Sequence, residues 1–424
     1  MKRIYNFSNS LFTKSIIYNP STISELKRIK RKRFTTIGNL KSYGDSCLGR
    51  NKLISLKNFN KLIYFDKKKR TIEVESGMKI KDLLKITLKY KLLLKCLPGS
   101  KYVTVGGIVA SNIKGKLTIK NSLHNYIESI KLIDKNNNII TCSKLKNKKL
   151  FKLTIGGLGM TGIILSVKFK LSEINSQTIL EERVFFSSFQ NLKSKLKRYK
   201  KKEYALAWLN TNTTDMHGIL FYGSHYKKNN YVKIKKDYLI NSYLCNLISF
   251  ISNNKIFVIL FNKIFTIYNI IFKKKKINII NFYFPQDRLR NFNDFFKPHG
   301  FIQFQFFLKF NDLKKIYFDI LNELKLNNLY SNFCILKFCK NDCDKSDILI
   351  SFDIPINKNK SIINNMINKL VKKHEINITL SKDMSLRRSS INDKILNTHE
   401  FLKIENRNYL INNFSSYLRN RLHV

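Results

Sequence analysis

The sequence predicts an α+β chain of two domains, and three observations lead there. At 424 residues with 43% hydrophobic content, it exceeds one ordinary core and carries enough apolar surface for two. Short runs of alternating apolar and polar residues are interleaved with segments of helical periodicity, the runs being separated by charged turns. Only 15 glycines occur, and eight gather in two stretches, LPGSKYVTVGGIVASNIKGK (97–116) and IGGLGMTGII (155–164). Where glycine is that scarce, clustering marks backbone that turns with positive φ or comes against something flat and bulky, because neither tolerates a Cβ.

The elements follow in order. Residues 21–33 (STISELKRIKRKR) place Ile23, Leu26 and Ile29 at helical spacing behind a capping Ser or Thr. A β-prone run at 34–37 leads into the turn-rich GNLKSYGDS of 38–46, whose backbone N–H groups are of the kind that hold a phosphate oxygen. Short strands are expected at 53–56, 62–65 and 71–75, the last alternating Ile72 and Val74 with Glu73 and Glu75. Residues 79–90 put Ile80, Leu83, Leu84 and Leu88 on one helical face, and 92–97 lead into the first glycine stretch. Strands at 127–134 and 138–142 pair around a turn at 135–137, residues 151–154 lead into the second stretch, and 163–171 alternate again. Gln303 and Gln305 alternate with Phe304 and Phe306, as in a strand whose glutamines share one face.

Residues 237–272 are the most apolar region, yet Lys255 and Lys263 interrupt them, so no uninterrupted run reaches bilayer length. Buried helices of the second domain, an interfacial segment beside the lysines at 273–276, and disorder are the three readings. Residues 390–424 read as helical. The net charge of +51 points by itself to polyanions. Lysine, asparagine, isoleucine, phenylalanine and tyrosine are abundant together while alanine, glycine and proline are scarce, the joint bias of A+T-rich coding. Runs such as 67–70 and 273–276 therefore read as solvated faces, and no specific nucleic-acid partner is expected. Seven cysteines without metal-type spacing read as free thiols, including the trio Cys334, Cys339 and Cys343, which fits a reducing compartment. The basic N-terminus lacks an apolar run of signal-peptide length, so a cytoplasmic location is expected.

GNLKSYGDS, PGSKYVTVGGIVASNIKGK and TIGGLGMTGII, in that order, resemble the PCMH-type flavin-binding domain of the vanillyl-alcohol-oxidase-type FAD-linked oxidases. More closely they resemble the decaprenylphosphoryl-ribose 2'-oxidase branch, whose segments read RSYGD, PGTxxVTVGG followed by IHGK, and VGGxGLTG. YALAW (204–208), FYFP (282–285), GFIQFQ (300–305), LKF (336–338), DIP (353–355) and LSKD (380–383) follow in family order. The resemblance implies an FAD-binding domain at 1–175 and a substrate domain with an antiparallel sheet at 176–395, carrying the apolar insertion 237–272. C-terminal helices at 396–424 would return to the first domain.

The resemblance also assigns roles. Gly38, Asn39, Lys41, Ser42, Tyr43 and Gly44 would bind FAD, as would Pro98, Gly99, Ser100, Thr104, Val105, Gly106, Gly107, Asn112 and Gly115. Gly157, Gly159, Thr161, Gly162 and Ile163 would lie along the cofactor's remaining phosphate and adenine side. Lys41 occupies the slot of the histidine that bonds flavin covalently in sugar-oxidising members, which implies non-covalent FAD. Lys382, Tyr283, Gln303 and Gln305 are the catalytic candidates, and Lys116, Lys337, Ser351 and Trp208 the substrate-binding ones. No metal is expected. Lys382 matches the family's active-site lysine, where a cation stabilises a developing alkoxide or the reduced flavin. Four departures stand out: Leu40 replaces a second loop glycine, Lys114 the histidine of IHGK, Ser351 a pocket cysteine, and Leu349 a polar neighbour.

The implied activity is oxidation of a sugar's secondary hydroxyl by hydride transfer to flavin N5. The implied substrate is a polyprenyl-phosphoryl pentose, a cell-wall precursor, oxidised at its 2'-hydroxyl as half of an epimerisation shared with a short-chain reductase partner. Such a lipid-linked substrate would suit peripheral attachment to the inner face of the plasma membrane. The alternatives are an aldonolactone or sugar-alcohol oxidase acting on a free sugar, a degenerate flavoprotein, and a basic nucleic-acid-binding protein.

Overall fold

The computed structural model of the chain describes residues 3–30, 32–50, 52–116, 122–199, 202–226, 232–234, 237–239, 241–289, 292–341, 346–356 and 359–424. The fold is α+β. Two larger sheets, beside two two-stranded ones, build the N-terminal part. A parallel three-stranded sheet has the order Ile17–Tyr18, Lys52–Ser55, Phe34–Ile37, with the helix Ile23–Lys30 connecting its outer strands. An antiparallel five-stranded sheet runs in the order Ile139–Ser143, Ile127–Ile133, Ile163–Lys170, Thr71–Glu75, Leu62–Asp66.

Alternation decides which side of that sheet is buried. Ile72, Val74, Ile130, Leu132, Val167 and Phe169 form one core with Leu83 and Leu84 of the helix Ile80–Thr87. The expected turn between 134 and 138 closes with Asp134 N–H donating to the Asn138 carbonyl at 3.0 Å. Asn137 takes φ +69° there, which asparagine tolerates better than most residues.

The second half is one eight-stranded sheet. Its order is Lys274–Asn278, Thr178–Phe186, Gly218–His225, Tyr204–Leu209, Phe333–Asn341, Ser346–Pro355, Phe301–Leu308, Asn377–Ile378, with every neighbouring pair antiparallel. Phe304, Phe306, Leu336, Ile350 and Phe352 face a core shared with the helices Leu313–Leu326 and Lys360–His374. The other face carries Gln303, Gln305, Lys337, Ser351 and Asp353, and the registers Gln303↔Asp353 and Gln305↔Ser351 set these side by side. Alternation thus divides the Phe301–Leu308 strand as its sequence suggests, into a buried phenylalanine face and a polar glutamine face.

The chain's end closes onto its beginning. Phe34 N–H donates to the Asn413 carbonyl, Ser415 N–H to the Phe34 carbonyl, and Tyr417 N–H to the Leu48 carbonyl, at 3.0, 2.7 and 2.7 Å. Arg421 forms ion pairs with Asp45 at 2.8 Å and Asp383 at 2.9 Å, both carboxylates being buried.

Four expectations need correction. Positive φ among the described glycines occurs only at Gly156, Gly159 and Gly300. In the first glycine stretch Gly106 and Gly107 lie within a short helix, Val105–Ala110, because Thr104 caps it by accepting a hydrogen bond from Gly107 N–H at 3.3 Å. The helix expected over 79–90 stops at Thr87 and tightens into a 3₁₀ turn, Leu88–Tyr90, ended by Lys91 at φ +54°. Helix in 390–424 is confined to short pieces, Asp393–Thr398 and Tyr417–Leu422, between 3₁₀ turns.

The apolar region contains two helices, Ser242–Ser252 and Lys255–Ile271, that lie on the surface with apolar side chains outward, so the buried-helix reading fails. Cys47, Cys96, Cys142, Cys245 and Cys334 are free thiols. The Cys339 side chain and all of Cys343 lie outside the described residues.

Candidate active site

The two glycine stretches meet. Gly156 N–H donates to the Val109 carbonyl at 3.0 Å and Leu158 N–H to the Ala110 carbonyl at 2.9 Å. Together with the loop after Phe34–Ile37 they form one wall of a cavity of about 480 Å³, whose other wall is the polar face of the eight-stranded sheet. Its volume is that of a ligand site.

On the glycine wall stand Gly38, Asn39, Lys41, Ser42 and Tyr43 from the loop. Pro98, Gly99, Ser100, Thr104, Gly106, Gly107 and Asn112 come from the first stretch, Gly159 and Gly162 from the second. Two contacts hold the loop in place. Asn39 Nδ2 donates to the Tyr102 carbonyl at 2.9 Å, and the Gly38 backbone lies so near Thr104 that a Cβ would sit 2.3 Å from Thr104 Oγ1. At Gly99 a Cβ would meet nothing within 4 Å, so the backbone there is bare toward the cavity.

The N–H groups of residues 39–43, and of Gly99 and Ser100, donate to no protein acceptor among the described residues. A wall of unengaged amides flanked by glycines fits an anionic dinucleotide, and these residues would hold the FAD phosphates. Leu40 sits in this loop at φ +49°, a left-handed conformation that explains why a glycine is at home there.

Six residues expected on the cofactor serve the framework instead. Gly44 lets the loop rest on the backbone beyond Lys382, where a Cβ would come 2.4 Å from the Asp383 carbonyl oxygen. Gly157 packs on the Leu153 carbonyl and Gly115 on Cys96. Val105 and Ile163 are core residues of the N-terminal half. Thr161 donates to Thr154 Oγ1 at 3.1 Å in the interior. Trp208 also needs correction: it shares a strand face with the cavity residue Leu206 but lies two residues further along, covered by Phe265 at 4.9 Å between ring centroids.

The sheet wall gathers charge. Gln303 Nε2 donates to Asp353 Oδ1 at 2.7 Å. Burial nevertheless raises the Asp353 carboxyl to about 6, against the pull of that hydrogen bond and of Lys382. Lys382 is brought down to about 7 by burial and by the like charge of Lys337, with Asp353 opposing. Its Nζ stands 3.6 Å from the centroid of the Tyr43 ring, a cation–π seat. Tyr43 is itself wedged edge-on against Phe7 and Phe301.

Lys116 is lowered to about 7 by burial, with Glu181 opposing and Lys337 assisting. Its Nζ donates to the Phe282 carbonyl at 2.6 Å, and Lys337 Nζ donates to the Lys114 carbonyl at 3.2 Å. Tyr283 OH donates to the Lys95 carbonyl at 2.9 Å, fixing its ring. Gln305 and Ser351 complete the wall with neutral polar groups.

Asp353, Asp287 and His399 also line the cavity, and sequence reasoning assigned them no role. Asp353 had a legible signal: in SDILISFDIP it alternates with Ser351 on one strand face. His399, held neutral by burial that lowers it to about 4, had none.

Residues 20–143 match the family described as FAD binding domain. Over 135 residues the chain is 31% identical to decaprenylphosphoryl-beta-D-ribose oxidase of Mycolicibacterium smegmatis, covering 31% of this chain and 29% of that protein. It is 25% identical over 193 residues to L-gulonolactone oxidase of Mus musculus, 43% of each chain. It is 31% identical over 134 residues to D-lactate dehydrogenase of Anaerostipes hadrus, 30% of this chain and 28% of that one. The chain thus spans less than half the length of these relatives.

Proposed function

We propose that this chain, which carries an FAD-binding domain, is an FAD-dependent oxidoreductase acting on a secondary hydroxyl of a substrate that also bears an anionic group. Our specific choice of substrate is a polyprenyl-phosphoryl pentose, oxidised at its 2'-hydroxyl. One observation carries the reading: Lys116, at the end of the first glycine stretch, and Lys337 and Lys382 opposite it line one cavity with the buried Asp353 and the bare-backbone loops. When bound, FAD supplies the hydride acceptor.

The chain's own residues supply position and charge. Asp353, oriented by Gln303, takes the hydroxyl proton in its ionised form. Lys382, seated on Tyr43, stands as a cation beside the oxygen while negative charge develops there. Lys116 and Lys337 meet the anionic group, whereas an uncharged lactone would make no use of them. Gln305 and Ser351 offer hydrogen bonds to sugar hydroxyls. The keto product would need a separate reductase to complete an epimerisation.

Flavin absorbance tests this. FAD-loaded protein kept from oxygen should bleach with a polyprenyl-phosphoryl pentose, and Lys382→Met should slow bleaching roughly a hundredfold or more. Equal bleaching by neutral lactones would overturn the choice of substrate, and no bleaching by any sugar or hydroxy acid would overturn the activity.

A further inference from the structure

The helices Ser242–Ser252 and Lys255–Ile271 are built inside out. A surface helix of a water-soluble protein turns its apolar stripe toward the core. Here the longer helix buries Val258, Asn262 and Asn269, the two asparagines 1% and 2% exposed, and turns Ile256, Leu260, Ile264, Ile267 and Ile271 outward at spacings of three and four residues. Ile256 is 74% exposed and Ile264 58%. The shorter helix turns Cys245 and Ser249 inward, the latter donating to the Lys297 carbonyl, while Tyr243, Leu247 and Phe250 face out. The two meet at 96°, and no single helix among the described residues is long and apolar enough to cross a bilayer.

We infer that this surface docks the protein onto a membrane bearing anionic lipid, the two helices lying in the interface. Charge supports that occupant. Between Asp237 and Asp287 the chain has no carboxylate, Lys255 and Lys263 are exposed on the longer helix itself, and the lysines at 273–276 follow directly on its end. Apolar side chains interspersed with and followed by ammonium groups match acyl chains beneath phosphate headgroups. A second copy of this chain would instead bring the same lysines against each other. The docked surface adjoins the cavity: Phe261 lies 6.5 Å from Phe333, and Phe333 with Phe292 lines the rim. If the proposed substrate is right, its lipid tail would stay in the bilayer while its headgroup enters. The docking itself does not depend on that reading.

Co-sedimentation of the full chain with vesicles tests it without substrate or flavin. Because a net charge of +51 draws the protein to anionic vesicles by itself, binding is read in high salt, which screens charge but not apolar insertion. Wild type should sediment with phosphatidylcholine–phosphatidylglycerol vesicles in high salt. The triple variant Phe250→Ser, Ile256→Ser, Ile264→Ser should partition at least about tenfold less. The control Leu145→Ser, Leu326→Ser, Ile404→Ser, at least as exposed but elsewhere, should bind as wild type, and equal melting temperatures would show all three folded. Equal high-salt binding by both variants would overturn the inference. So would a wild type that binds no vesicles but forms a dimer abolished by the first variant.

Discussion

At the residue scale, Lys382 and Asp353 make the sharpest commitment. The proposed chemistry needs Asp353 ionised, which holds above about 6, and Lys382 protonated, which holds below about 7. The rate of flavin bleaching at low substrate should therefore rise through about 6 and fall through about 7. The two limbs belong to the interacting pair rather than to either residue alone. Asp353→Asn should remove the acid limb, and Lys382→Met should weaken the alkaline one without abolishing it, because Lys116, also brought down to about 7, loses its charge over the same range. A flat profile in wild type would detach both residues from the chemistry. Much of this was legible in sequence, since LSKD marked Lys382 and alternation marked Gln303 and Gln305. The Gln303–Asp353 hydrogen bond was not, because it depends on which strand lies next to which and in what register.

At the element scale, the glycines divide into those that serve the fold and those that face the cavity. Clustering could reveal that bare backbone was needed but not what it faced. Gly44, Gly115 and Gly157 turn out to accommodate neighbouring protein, which sequence spacing cannot distinguish from a ligand. Gly99 and Gly44 give contrasting tests. A Cβ at Gly99 enters open space, so Gly99→Ala should leave the melting temperature of the FAD-free protein unchanged and weaken FAD binding roughly tenfold by crowding the cavity. A Cβ at Gly44 would clash with the Asp383 backbone, so Gly44→Ala should lower the melting temperature as well. Tight FAD binding by Gly99→Ala would place the cofactor elsewhere. The apolar segment shows the limit of composition: its apolar character was visible, but whether the apolar side chains face in or out depends on the tertiary partner, and here the longer helix turns Val258, Asn262 and Asn269 toward it.

At the scale of the whole molecule, the C-terminal segment joins the two walls of the cavity. Arg421 pairs with Asp45, at the end of the glycine loop, and with Asp383, next to Lys382. Removing it would leave two buried carboxylates without their cation. Arg421→Met should lower the unfolding free energy by about 3–5 kcal/mol, while Lys373→Met, at an exposed pair with Asp319, should cost less than about 1 kcal/mol. Comparable losses would mean that the closure is not held by this pair. No motif pointed to Arg421, because a single arginine far along a basic chain carries no local signal of its partners.

One cavity shared by the glycine loops and the polar sheet face carries both cofactor and chemistry in the proposed enzyme. Titrating the purified full chain with FAD, followed by flavin fluorescence, tests it most directly. The result predicted is saturable uptake of one FAD per chain, weakened by Gly99→Ala and released on acid precipitation. A chain that binds no FAD, or binds it undiminished in the Gly99→Ala variant, would contradict it.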